Sequence, residues 1–72
     1  MDIKEIIAEA LEIDAGEVGD DFVFVEHPSW DSLAALTVIT ALEDHFKVVL
    51  SGSELRDAQT VAGLAACVRA HG

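Results

Sequence analysis

The stretch HPSWDSLAAL, His27 to Leu36, places a lone serine, Ser32, between Asp31 and Leu33, just where a polar loop gives way to a helical pattern. No general base follows Ser32 at helical spacing and no glycine elbow surrounds it, so the hydroxyl does not read as the nucleophile of a hydrolase. His27, Asp31 and Ser32 supply the residue types of a catalytic triad, but the chain shows neither an oxyanion hole nor a substrate cleft to go with them. The candidate soft metal ligands are His27, His45, His71 and Cys67; we read no ligand spacing among them and expect no metal site. Cys67 lies beside an apolar stripe and reads as a small packing residue. The acidic run DAGEVGDD fails the calcium-loop pattern, because Gly16 and Val18 occupy positions that need oxygen ligands.

A chain of 72 residues has room for one small domain with a marginal core, and a deep enzyme pocket is not expected. Hydrophobic residues make up 51% of it, a share swollen by alanine, which favours short helices over a sheet. Fourteen acids against four bases give a net charge of −10, which argues against nucleic acid and anionic membranes and for basic protein surfaces as partners. A single cysteine allows no internal disulfide and fits a reducing compartment. The amino terminus is amphipathic and acidic, unlike a signal peptide or a membrane span. These features predict a cytoplasmic, free-standing domain over residues 1–72, acting as a monomer.

The elements that must position Ser32 can be read from caps and periodicity. Asp2 and Glu5 form a capping-box pattern ahead of a helix over residues 3–12, with Ile3, Ile6, Ile7, Ala10 and Leu11 at helical spacing. A long connection follows, from Ile13 to Trp30, in which Phe22 to Val25 could score as a strand. A short strand without a partner is unstable, so the segment is expected to be an ordered loop whose phenylalanines reach the core. Asp31 or Ser32 caps a second helix to about Lys47, its apolar side formed by Leu36, Ile39, Leu42 and Phe46 with Val38 flanking. Ser51 and Glu54 offer another capping box for a short helix, and Thr60 caps a last helix with Val61, Leu64, Ala65 and Val68 inward. The expected fold is all-α, a small four-helix bundle of three long helices and one short one, with a long loop after the first. Trp30 is read as a staple fixing that loop to the second helix.

This order of elements, with DSL at the head of the second helix, resembles the acyl carrier protein family, including its polyketide and other thiotemplate relatives. FVEHPSWDSL looks like that family's loop into Asp-Ser-Leu, ALEDHF like the end of its second helix, and TVAGLAACV like the start of its last. The resemblance implies a non-catalytic carrier in which Ser32 bears 4′-phosphopantetheine, installed from coenzyme A by a phosphopantetheinyl transferase that Asp31 helps to engage. The physics is compatible: a phosphodiester at a helix amino terminus lies beside free N–H groups and the positive end of the dipole. The arm's thiol would tether an acyl group as a thioester for partner enzymes, a loading ligase or synthase with a basic docking surface.

Leu33 is expected to be either an apolar partner contact or a packing residue. Where fatty-acid carriers have acids early in the second helix, this chain has Ala34 and Thr37. Recognition is therefore expected to draw on Asp20, Asp21 and Glu26 in the loop as well as Glu43 and Asp44, and the pathway to be a specialised fatty-acid-like or polyketide one. Thr37, Thr40, Ala62, Ala65 and Ala66 are read as lining any interior tunnel, which predicts a short or polar cargo. The alternatives are an aminoacyl or peptidyl carrier of a nonribosomal-type system and an unmodified helical interaction module.

Overall fold

A computed structural model describes residues 2–71, and its four helices begin where the caps lie. Helix α1, Ile3–Leu11, starts with the reciprocal capping box of Asp2 and Glu5 and stops at Glu12, whose φ of 59° leaves the right-handed region. Ile6, Ile7, Ala8 and Leu11 are its buried face. Helix α2, Ser32–Phe46, closes in the same way at Lys47, and α3, Gly52–Ala58, opens on the Ser51/Glu54 box. The carboxyl of Glu54 is held below the ordinary carboxylate range, chiefly by the Ser51 backbone N–H and then by His71. Helix α4, Val61–His71, buries Val61, Leu64 and Val68. The architecture is all-α, with no strand among the described residues beyond one isolated bridge between Val23 and Thr60. No described helix is long and apolar enough to cross a membrane.

The long connection is the ordered loop expected, and it is stitched into place by α4. Two 3₁₀ turns shape it, Ala15–Glu17 and Phe24–Glu26, the first with its own Asp14/Glu17 capping box. Its carbonyls then satisfy donors at the start of α4: Val61 N–H donates to the Phe22 carbonyl at 3.2 Å and Ala62 N–H to that of Asp20 at 2.9 Å. Thr60 Oγ1 completes the cap by accepting from Gly63 N–H at 3.1 Å. Phe24 is 0% exposed, so one phenylalanine of the loop is the centre of the core, while Phe22 is only half-buried.

One expected face is corrected. Helix α2 buries Ala34, Val38 and Leu42, whereas Ile39 and Phe46 are half-buried and Leu36 is 58% exposed. Apolar side chains occupy most of this helix's circumference, so periodicity could not choose which stripe turns inward. The choice comes from the rest of the core, whose fully enclosed residues include Phe24, Leu55 and Leu64 from other elements.

The α3–α4 junction leaves no room for a side chain. Thr60 N–H donates to the Ala58 carbonyl at 2.6 Å across Gln59, whose φ of 62° and ψ of −54° form the strained variety of γ-turn. A Cβ on Gly63 would run into the Ala58 carbonyl oxygen, with the carbonyl carbon 3.1 Å away. Backbone cannot swing aside as a flexible side chain can. Gly63→Ala is therefore expected to cost about 1–3 kcal/mol or more in urea unfolding, despite alanine's better helix propensity. A variant as stable as the parent would mean that the junction is looser than described.

Candidate functional site

At the head of α2 the two residues that sequence alone could not separate have different jobs. Asp31 is the cap: its backbone is extended and its carboxylate accepts from Ala34 N–H at 2.8 Å. Its carbonyl takes Ala35 N–H at 3.0 Å. Ser32 is the first helical residue, exposed, and has no part in capping. The N–H groups of Ser32 and Leu33 have no backbone or side-chain acceptor among the described residues, so two donors at the positive end of the helix point outward beside the hydroxyl.

Ser32 opens onto a recess lined by Trp30, Asp31, Ala35, Leu36, Ile39, Gly52 and Arg56. Trp30 makes an edge contact with Phe24, ring centroids 5.0 Å apart at 64°, and so packs on the core ring of its own loop. Its half-buried ring is at the same time one wall of the recess. Arg56 was not foreseen as a site residue. It forms no ion pair among the described residues and brings a guanidinium to the recess. Only its rarity, as one of four basic residues in an acidic chain, marked it in the sequence. An exposed hydroxyl, two outward N–H donors and a nearby guanidinium suit a phosphodiester on Ser32. His27 is turned elsewhere: its Nδ1 accepts from Ser29 N–H at 3.1 Å. The triad residue types are thus not assembled into a base and nucleophile pair.

The expected recognition residues are distributed along the molecule. Leu33 is 71% exposed, which settles it as a surface residue. Glu43 and Asp44 are exposed on the later turns of α2, and Asp44 shares a recess with Glu9, Leu36, Thr37 and Thr40. Asp21 and Glu26 are exposed in the loop. Asp20 is committed elsewhere: it pairs with Lys4 at 3.2 Å and lies in a recess with Phe46, the last residue of α2. That end is about 21 Å along the helix axis from Ser32.

Thr37 and Thr40 do not line an interior tunnel, contrary to expectation. Thr37 Oγ1 donates to the Leu33 carbonyl at 3.0 Å, both threonines are exposed, and Ala62 and Ala66 also face outward. Hydroxyls that line no interior say nothing about a sheltered chain. Contrary to the reading that no two of the soft ligands share a spacing, Cys67 and His71 are four apart, hence on one face of α4, and Glu54 of α3 meets them there.

These features, a helical bundle with an exposed serine opening its second helix, are those of a carrier domain. The phosphopantetheine attachment site family matches residues 2–68. Polyketide-8 synthase acyl carrier protein 1 of Streptomyces avermitilis is 42% identical over 55 residues, covering 76% of this chain and 66% of that protein. The corresponding carrier protein 2 is 36% identical over 61 residues, 85% of this chain and 70% of its own length. An acyl carrier protein of Helicobacter hepaticus is 30% identical over 69 residues, 96% and 91% of the two chains. The chain belongs to the acyl carrier protein family. It is a carrier and not an enzyme, its cofactor is covalently attached 4′-phosphopantetheine, and its partners are a phosphopantetheinyl transferase and synthases. When attached, that cofactor supplies a thiol that holds an acyl group as a thioester.

Proposed function

We propose that the chain acts as a single carrier domain in which Ser32 is the attachment residue, and that it serves a specialised acyl pathway, by likeness to the polyketide carriers. One observation carries the assignment of Ser32: Asp31 already caps α2, so the exposed hydroxyl has no structural duty. In this reading Asp31 shapes the first turn that the transferase must recognise, and Arg56 offers the phosphate a counter-charge. Incubation with coenzyme A and a broad-specificity transferase, followed by peptide mapping, should place one phosphopantetheine on the peptide holding Ser32. Modification at Ser29, or none at all, would overturn it.

The partner surface combines Leu33 and Leu36 with the acids Asp21, Glu26, Glu43 and Asp44, a mixed apolar and acidic face that fits a basic ligase or synthase. Asp20 contributes less than these acids, because it already pairs with Lys4. Charge reversal at Asp21 and Glu26, and separately at Glu43 and Asp44, should slow loading by the cognate enzyme and flatten its salt dependence. Asp20→Asn should change loading less than about threefold. Unchanged rates in both double variants would place docking on another face.

A further inference from the structure

On α3 and α4, the side chains of Glu54, Cys67 and His71 converge so that one ligand atom from each lies within 4.8 Å of the others. Cys67 and His71 are one turn apart on α4, and Glu54 reaches them from the first turn of α3. The carboxylate is oriented before anything binds: Oε1 accepts from Ser51 N–H at 3.2 Å, which leaves Oε2 facing His71 Nε2 at 2.7 Å. Such an arrangement is a preformed half-shell of one sulfur, one nitrogen and one oxygen donor.

We propose that Glu54, Cys67 and His71 form a binding site for zinc, distinct from the attachment site at Ser32. Tetrahedral zinc with bonds of about 2.0–2.3 Å requires donor atoms about 3.3–3.8 Å apart, a spacing bracketed by the 2.7 Å pair and the 4.8 Å limit of the cluster. Entry of the ion parts Oε2 from Nε2 by about half an ångström. The thiol proton leaves to solvent as the sulfur–zinc bond forms, His71 binds as neutral imidazole, and a water completes the fourth position on the exposed side of His71. A thiolate and an imidazole select zinc and its near neighbours over magnesium and calcium, which prefer all-oxygen shells. The bound ion joins the start of α3 to the end of α4, and α3 also provides Gly52 and Arg56 to the recess beside Ser32. The proposal does not depend on Ser32 carrying an arm.

Cobalt titration of the full chain without its arm tests this, since an arm thiol would compete for the ion. One equivalent of cobalt should give a thiolate charge-transfer band and the intense visible absorption of a tetrahedral site, both removed by zinc or a chelator. Cys67→Ser should abolish the charge-transfer band. Glu54→Gln and His71→Ala, the latter at an exposed position, should each weaken affinity by at least about tenfold. His27→Ala and His45→Ala should leave the titration unchanged. Absence of the band in the parent, its persistence in Cys67→Ser, or equal affinity in His71→Ala would show adventitious binding by surface acids and overturn the site.

Discussion

Ser32→Ala should gain no phosphopantetheine while keeping its fold. In the proposed assignment the Ser32 hydroxyl oxygen is the nucleophile that takes the phosphate, and alanine leaves nothing there to accept it, so the effect is all or none. Stability should change by no more than about 0.5 kcal/mol, because Ser32 is exposed and takes no part in capping. Asp31→Ala should behave differently: loss of the bond to Ala34 N–H should cost about 1 kcal/mol, with the serine still present as acceptor. Intact mass and thermal denaturation on the same samples separate the two roles. An arm retained by Ser32→Ala would place attachment elsewhere, and a large fall in its melting temperature would mean that the serine has a structural duty after all.

Phe24→Ala should remove most of the domain's stability, about 3–5 kcal/mol. The ring is 0% exposed, contacts Trp30 edge-on, and holds down a loop whose carbonyls also satisfy the first donors of α4. Deleting it leaves a cavity in a core that is small to begin with. For a domain of this size the melting temperature should fall by more than about 12 °C, or the cooperative transition should vanish. Phe22→Ala is the internal comparison, since that ring is only half-buried and its loss should cost clearly less. A Phe24→Ala cost below about 1 kcal/mol would show that the loop is not anchored through this ring.

Legibility in the sequence followed the range of the interactions. The capping boxes at Asp2 and Ser51, the cap at Thr60 and the helix limits were readable within a residue or two, because each depends on donors and acceptors three residues apart. The inward stripe of α2 was not readable, since Leu36, Ile39 and Val38 are all apolar and only the neighbouring elements decide among them. The same limit misplaced Thr37 and Thr40, whose outward direction follows from that rotation. Arg56 and the Glu54, Cys67 and His71 cluster went unforeseen for a related reason: their partners lie on other helices, although the four-residue spacing of Cys67 and His71 was there to be noticed.

By itself the sequence determined that the chain is a small acidic helical domain with one serine at the head of its second helix, since charge, composition and local caps are properties of neighbouring residues; its being a carrier rested on the resemblance of its motifs to the acyl carrier protein family. Only the structure decided that Asp31 and not Ser32 caps the start of α2, that Leu33 and Leu36 face solvent, and that a loop without a strand is held by the start of α4. Those outcomes depend on how one buried ring, Phe24, and the packed faces of four helices share a single core. Burial is a property of the whole assembly, and no window of sequence contains it.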